Sequence, residues 1–346
     1  MKFLKICGVS FISLLLTGCL FKRDTMEDIN IYTTIYPLNY LTNYLYKDYS
    51  VVHSIYPSDV DVSEYNLSDK KINEYSKSDL FVFNGLDKDR DYAVKMINEN
   101  EELKIIDTSI SVGYEYSVRE LWLNPNNFLM MAQNLKSGLL EYVTNPYLVS
   151  NKDKTGIEDK YEELNKNLSK LDATLKESIK YANYDTIVVD DDTFKFLENL
   201  LADKTFTVLS LDESEEVTIT YTVQNGDTLD KIAKDNKVSK NDIIKLNNLE
   251  DEKIKTGQTL EINIKTISSN SLNKAKKLIS DGKIKYIYSF KETSNEVVNK
   301  LIEENELELI TINDMYTIDG GVTNSNENYI TIMNNNIDLL KKELYK

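Results

Sequence analysis

Histidine and cysteine are almost missing from this sequence, which has one histidine and two cysteines in 346 residues. Imidazole and thiolate groups are the donors that zinc prefers in proteins, so the composition argues against a tight zinc site. The single histidine, His53, lies inside a strand-like run, where a structural role is expected. The sequence also lacks a Ser/His/Asp set and a Gly-rich phosphate-binding loop, and an enzyme is therefore the least favoured class.

The charge is one-sided, with 57 acidic against 41 basic side chains and a formal net charge of −16. This acidity argues against nucleic acid as a partner and against binding to an anionic membrane surface through charge. No stretch beyond residue 18 is apolar enough to span a bilayer. The hydrophobic share of 41% is sufficient for packed globular domains, and the length favours two or three of them.

The first residues, MKFLKICGVSFISLLLTGC, combine a basic start, a short apolar run and small residues, as secretory signals do. The ending Leu16-Thr17-Gly18-Cys19 resembles the lipobox of bacterial lipoproteins. The resemblance implies cleavage before Cys19 and a lipid on its thiol, so we expect a signal peptide over 1–18 and a tether over 19–28. Cys7 would leave with the signal, and no disulfide would form. The expected location is extracytoplasmic, lipid-anchored to the cell membrane and facing the cell wall.

Strand-like and helix-like segments alternate through the N-terminal half of the chain. The strand-like runs are INIYTT (29–34), VVHSIYP (51–57), DLFVFNG (79–85) and LKIIDTS (103–109), and helix-like segments lie between them. This alternation predicts a parallel sheet in a three-layer α/β lobe over residues 29–154.

A long helix is predicted over 155–182, where apolar residues recur three or four positions apart. They form one stripe, made of Ile157, Tyr161, Leu164, Leu168, Leu171, Leu175 and Ile179. Thr155 followed by Glu158 matches a capping box at the start of this helix. A helix of this length would span roughly 37 Å, enough to cross a whole lobe.

A second alternating series of strands and helices is interrupted. It runs over 183–213, stops, and resumes over 266–346. The pattern predicts a second α/β lobe into which a separate segment has been inserted.

The inserted segment carries the strongest motif in the chain. Residues 221–262 read YTVQNGDTLDKIAKDNKVSKNDIIKLNNLEDEKIKTGQTLEI. They resemble a LysM domain almost from end to end, with a strand, a turn, two short helices and a return strand. We therefore expect a βααβ LysM domain over 220–263.

The LysM resemblance implies recognition of N-acetylglucosamine-containing glycan, and hence of peptidoglycan. Such modules bind sugar amides in a shallow groove between the first strand–helix loop and the last helix–strand loop, mostly through backbone groups. The groove positions carried over by the resemblance are Gly226, Asp227, Thr228, Asn248, Leu249 and Ile254. Each position also has a purely structural interpretation: Gly226 and Asn248 as turn residues, Ile254 as part of the core.

Five further segments share the pattern of one family. They read VDVSEYNLS (60–68), SKSDLFVFNGL (76–86), ELWLNP (120–125), DDTFKFL (191–197) and INDM (312–315). Together they resemble the solute-binding lipoproteins of zinc and manganese ABC importers. The resemblance implies two three-layer α/β lobes joined by the long helix, with a metal site in the cleft between them. The predicted fold is therefore an α/β protein of two such lobes, with the LysM domain inserted in the C-terminal one.

In that family three histidines and a carboxylate hold the metal, and none of those histidines is present here. The matching positions are Ser63, Glu120, Asp191 and Asn313, with Asp314 as an alternative register for the last. An all-oxygen set suits one hard divalent cation, Mn²⁺, Mg²⁺ or Ca²⁺, better than Zn²⁺. Two buried carboxylates also favour a positive charge between them. The alternative is a cleft that has lost its metal, with Glu120 and Asp191 as solvated acids.

Two functions follow from these observations. The first is the metal-ion receptor of an ABC importer, which would present its cargo to a permease. The second is an envelope scaffold or interaction protein that has lost metal binding and attaches to peptidoglycan through LysM. The insertion replaces a strand–helix loop of the C-terminal lobe, so the module is expected near the mouth of the cleft.

Overall fold

The computed structural model describes residues 25–58, 60–203, 205–212, 214–290, 295–316 and 327–346. The predicted signal segment 1–18 and the lipobox Cys19 lie outside these residues. The described strands form two parallel sheets of four and one antiparallel pair. None of the described helices is both long enough and apolar enough to cross a membrane.

The N-terminal lobe is built on a parallel sheet in the order β2-β1-β3-β4. Its strands are β1 (Ile29–Thr33), β2 (Ser50–Ser54), β3 (Leu80–Phe83) and β4 (Lys104–Asp107). Its helices are α1 (Tyr36–Tyr46), α2 (Asp69–Tyr75), α3 (Asp87–Glu99), α4 (Glu120–Leu123), α5 (Pro125–Tyr142) and α6 (Pro146–Val149). All four residues of β3, LFVF, are buried, as expected for a strand covered on both faces.

Helix α7 (Ile157–Lys180) links the lobes and spans about 36 Å. The predicted apolar stripe is its buried face, which contacts α5 of the N-terminal lobe and the last helix of the chain. The predicted capping box is wrong: the N-cap is Gly156, one residue later than the predicted Thr155, and no side chain caps the helix. The Thr155 hydroxyl instead contacts the Tyr49 hydroxyl at 2.7 Å and accepts a hydrogen bond from the Asn151 amide at 3.0 Å.

The C-terminal lobe has a second parallel sheet in the order β10-β9-β5-β6. Its strands are β5 (Thr186–Val189), β6 (Thr207–Ser210), β9 (Tyr286–Ser289) and β10 (Glu308–Thr311), and its helices are α10 (Ser269–Ser280), α11 (Glu296–Asn305) and α12 (Tyr329–Leu344). Side chains alternate across β5: Ile187 and Val189 face the main core, whereas Val188 packs in a separate core beside α10 and α11.

The segment after β5 is not a regular α-helix. The alternation predicted over 183–213 places a helix between two strands, and residues Asp192–Asn199 form a 3₁₀ helix there. Phe194 and Leu197 are both buried, and a three-residue turn places two side chains three positions apart on the same face. The packing of this segment therefore favours the tighter helix.

The inserted module consists of β7 (Ser214–Thr222), α8 (Leu229–Asp235), α9 (Lys240–Leu246) and β8 (Thr259–Ile267). The strands pair antiparallel along their whole length, from Ser214 with Ile267 to Thr222 with Thr259. The module has its own core, formed by Val223, Leu229, Ile232, Ala233, Ile243, Leu260 and Ile262. The predicted fold of two α/β lobes, a linking helix and an inserted βααβ module is thus confirmed.

Burial along α7 generates a stability prediction. Leu168 is fully buried, so Leu168→Ala should lower the free energy of unfolding by about 2–5 kcal/mol. Lys166→Ala on the exposed face of the same helix should change it by less than about 0.5 kcal/mol. Denaturant unfolding followed by circular dichroism measures both, and equal effects of the two substitutions would contradict the packing described for α7.

Candidate functional site

A cleft of about 1150 Å³ lies between the two lobes. The N-terminal lobe lines it with Asp61, Ser63 and residues 117–119, and the C-terminal lobe mainly with the ends of its strands and the segments that follow them. Asp235 and Lys237, at the end of α8, also line the cleft, so the inserted module lies at its mouth as expected. Because parallel strands carry their following loops at the same edge, the cleft is built from the carboxyl ends of both sheets.

The guanidinium of Arg119 bridges the lobes inside this cleft. One terminal nitrogen, Nη2, donates to Asp191 Oδ2 at 2.6 Å, and the other, Nη1, donates to Asp314 Oδ2 at 3.2 Å. The guanidinium carbon lies 4.7 Å from the centre of the Phe290 ring. Only about a fifth of each of these three charged side chains is exposed, at 22%, 25% and 19%, so solvent screens the ion pairs less than at the surface.

Glu120, the neighbour of Arg119, is buried and does not line the cleft. Its carboxylate accepts hydrogen bonds from the backbone N–H groups of Tyr116 at 2.5 Å, Ser117 at 2.8 Å and Glu115 at 3.2 Å. The carboxylate expected to act as a ligand therefore fixes the loop before α4. By holding that loop, it also positions Arg119.

Ser63 lies on the rim of the cleft, exposed, with its hydroxyl donating to Asp61 Oδ1 at 2.5 Å. The ammonium of Lys88 holds the same loop by donating to the carbonyl oxygens of Val62, Ser63 (3.1 Å) and Tyr65 (2.8 Å). Burial lowers the pKa of Lys88, and the neighbouring Asp89 opposes that shift.

Asn313 and Asp314 follow β10, and their side chains have different roles. Asn313 Oδ1 accepts from the Met315 N–H at 2.8 Å, and its backbone is held by Asn336. Asp314 is the residue that contacts Arg119, which corresponds to the alternative register. Burial raises the pKa of Asp314, while its backbone hydrogen bond from Tyr316 and the charge of Arg119 oppose the rise.

These contacts bear on the predicted metal ligands Ser63, Glu120, Asp191 and Asn313. Among the described residues there is no group of three or more His, Cys, Asp or Glu side chains that could hold a metal ion. The carboxylate of Glu120 is occupied by N–H donors and that of Asp191 by a guanidinium and the Thr193 N–H. The donors present therefore do not fit the family's metal, and the four-residue set remains a prediction.

Sequence reasoning missed Arg119. The chain has only three arginines, Arg23, Arg90 and Arg119, against 41 basic residues in all. One of the three stands directly before a predicted ligand position. That rarity was the available signal, since arginine is the basic residue best shaped to pair with carboxylates.

The predicted glycan groove lies at the far end of the inserted module. The loops around Gly226 and Asn248 follow the distal ends of β7 and α9, whereas the end of α8 faces the cleft. Gly226, Thr228 and Asn248 are exposed, and Leu249 and Ile254 are half-buried against the module's core. Gly226 has φ +86° and Asn248 has φ 51°, left-handed conformations that suit glycine and asparagine.

Asp227 has an internal role in the same loop. Its Oδ2 accepts from the Tyr221 hydroxyl at 2.7 Å and the Gln224 N–H at 2.8 Å, and its Oδ1 accepts from Lys231 at 3.0 Å. These contacts hold the pKa of Asp227 down to about 2. The carboxylate therefore fixes the shape of the loop, which leaves backbone groups to contact a ligand there.

Comparison with protein families gives two matches. Residues 31–240 match the family described as zinc-uptake complex component A, periplasmic. Residues 221–263 match the LysM domain, so the two matches share residues 221–240. No curated protein sequence matches the chain.

Solved structures with the same fold include zinc-bound AdcA from Streptococcus pneumoniae, at 17% identity and a TM-score of 0.60. That match covers 92% of this chain and 58% of AdcA, so the chain spans less than two thirds of that relative. The metal-dependent lipoprotein YcdH from Bacillus subtilis matches at 18% identity and TM-score 0.60, covering 92% of this chain and 100% of YcdH. The laminin-binding protein Lbp of Streptococcus pyogenes matches at 12% identity and TM-score 0.58, covering 92% and 99%.

The contacts of Asp227 generate a pH prediction. A carboxyl whose pKa is lowered by folding stabilises the module fully above its ordinary value near 3.8 and loses that effect as the pH falls toward 2. An NMR titration of Asp227 should therefore give a midpoint of about 2. Tyr221→Phe should raise the midpoint, because the phenol makes the largest contribution, whereas the remote Tyr147→Phe should not. A midpoint near 3.8 in the parent protein would contradict the hydrogen-bonded loop.

Proposed function

The chain belongs to the zinc-uptake complex component A family, and from this premise we propose that it is an envelope protein attached to peptidoglycan by its LysM module. Members of this family bind a divalent metal ion and are extracytoplasmic transport receptors, not enzymes. Two features of the present chain differ from that description: the inserted LysM module and the arginine in its cleft. The first of them supports attachment to the wall.

The ligand class is glycan containing N-acetylglucosamine. The observation that carries this proposal is the arrangement of the two loops, which follow the distal end of the paired strands and do not line the cleft. The backbone groups of Gly226, Asp227, Thr228, Asn248, Leu249 and Ile254 would receive the sugar amide. Because none of these residues lines the cleft, a glycan strand would reach the groove without entering the cleft.

A lipid on Cys19 would hold the protein at the membrane surface, beside the wall. A single LysM module binds weakly, but an anchored protein meets its glycan at a high effective concentration. The paired strands β7 and β8 would help it to reach the wall, since nine residues of strand span about 27 Å. Membrane and wall would then be joined by one chain.

Binding to purified peptidoglycan tests the proposal by co-sedimentation. Asn248→Asp keeps a side chain that tolerates the left-handed backbone but places a charge beside a neutral amide. Because the backbone of Asn248 is proposed to contact the sugar, the new carboxylate would be desolvated beside it, and binding should weaken by about 2- to 10-fold. Asn241→Asp on the exposed face of α9 carries the same charge change and should bind as the parent does.

A deletion supplies the complementary test. Thr220 lies directly opposite Glu261, so residues 221–260 can be replaced by an Asn-Gly turn that closes the remaining strand pairs. This variant should keep the lobes and lose all co-sedimentation. Binding that survives the deletion would show that LysM is not the wall-binding element.

The second candidate function is the receptor of an ABC importer, and the observation that favours it is the cleft between two preserved lobes. The cargo would be one hard cation, Mn²⁺, Mg²⁺ or Ca²⁺, held by the oxygens of Ser63, Glu120, Asp191 and Asn313, and the partner would be a permease. This function requires one cation per chain and a rise in the unfolding temperature on binding. Asp191→Asn would have to abolish that rise, and the exposed Asp203→Asn would have to leave it unchanged.

A further inference from the structure

We propose that Arg119 is a built-in cation, which occupies the place of a bound metal between the lobes and holds the cleft closed without one. The arginine belongs to the N-terminal lobe, at the start of α4. The two carboxylates that it contacts, Asp191 and Asp314, belong to the C-terminal lobe, after β5 and β10. The ion pairs therefore cross the cleft.

The shape of the guanidinium suits this position. Its two terminal nitrogens reach two different carboxylates at 2.6 and 3.2 Å, while its face lies over the Phe290 ring. A planar group with several fixed donors can join two acidic residues in this way, whereas an ammonium is a single point charge. The aromatic face below adds a favourable cation–π contact.

The charge also suits the position. Two carboxylates that meet in a partly buried cleft repel each other unless a positive charge lies between them. Arginine stays protonated throughout the physiological pH range, so it supplies that charge permanently. A divalent cation entering the same space would be repelled by the guanidinium, which already occupies one oxygen of each carboxylate.

The surrounding contacts hold Arg119 in place. Ser117 Oγ accepts from the Arg119 backbone N–H at 3.2 Å, and the buried Glu120 fixes the loop before it. Trp122, on the same short helix, donates from its indole N–H to the carbonyl oxygen of Asp314 at 2.6 Å. Asp314 is thus joined to α4 through both its side chain and its backbone, which gives the bridge a fixed length.

The experiment compares three variants of the soluble chain that begins after Cys19. Arg119→Gln removes the positive charge, whereas Arg119→Lys keeps the charge but replaces the planar guanidinium with an ammonium group. The matched control is Arg90→Gln, which removes an exposed arginine from the same lobe. Small-angle X-ray scattering measures the radius of gyration, and thermal unfolding measures the unfolding temperature. Both are measured with and without Mn²⁺, Ca²⁺, Mg²⁺ or Zn²⁺. Every variant is also tested for peptidoglycan binding.

In the parent protein no cation should change either measurement. Arg119→Gln should open the lobes, with a larger radius of gyration and a midpoint lowered by about 2–4 °C. Its freed carboxylates should now respond to Mn²⁺ or Ca²⁺, or to millimolar guanidinium, with a partial recovery of the midpoint. The radius of gyration and the midpoint of Arg119→Lys should lie between those of the parent protein and Arg119→Gln. Arg90→Gln should match the parent protein in both.

Two results would overturn the proposal. One is a parent protein that binds an equivalent of cation with a midpoint rise that Asp191→Asn removes, which is what the importer function requires. The other is an Arg119→Gln variant that behaves like Arg90→Gln, as an ordinary surface ion pair would. Peptidoglycan binding should stay unchanged in all variants. The measurements can therefore contradict the role of Arg119 without contradicting attachment to the wall.

Arg119→Gln leaves two acids facing each other without a counter-charge, so a second variant is needed that separates loss of the ion pairs from loss of folding. The triple variant Arg119→Gln/Asp191→Asn/Asp314→Asn removes the ion pairs and leaves no unpaired charge. It should fold and show the same larger radius of gyration. A triple variant as compact as the parent protein would contradict a role for these ion pairs in closing the cleft.

Discussion

The site depends on one constraint of parallel sheets: the loops that follow neighbouring strands all leave from the same edge. Both lobes obey it, so residues 61–63 and 117–119 of one sheet face residues 190–191 and 311–314 of the other. Helix α7 brings the two edges face to face, because its buried stripe packs on helices of both lobes. The group that lies between the two edges must then balance the negative charge of the carboxylates on the loops.

In this chain two basic side chains hold the loops. Arg119 joins the acidic residues after β5 and β10, and Lys88 gathers the carbonyl groups of the loop around Ser63. A metal ion draws loops together in the same way, by giving several oxygen atoms one positive centre. The described contacts are consistent with a family fold kept intact around a cleft whose positive charge comes from the chain itself.

The alternation of strands and helices, the LysM motif and the five segments that resemble the metal-receptor family were together sufficient to predict the fold, because each is a pattern of several residues. The site was harder to predict, because its chemistry changes from one residue to the next. Adjacent residues on a helix point about 100° apart, so Glu120 turns inward to backbone N–H groups while Arg119 enters the cleft. The same applies after β10, where Asp314 rather than Asn313 meets Arg119. No motif pattern resolves such a difference without the packing around it.

The position of the LysM module follows from how its ends meet. Ser214 pairs with Ile267, so the insertion begins and ends at one point of the C-terminal lobe and replaces a loop without separating β6 from α10. An insertion with adjacent ends adds little to the entropy cost of closing the connection. The paired strands then extend about 27 Å from that point, with the loops around Gly226 and Asn248 at their distal end, while the end of α8 lies at the mouth of the cleft. The module therefore lines the mouth of the cleft through Asp235 and Lys237, and it also carries two exposed loops that do not line the cleft.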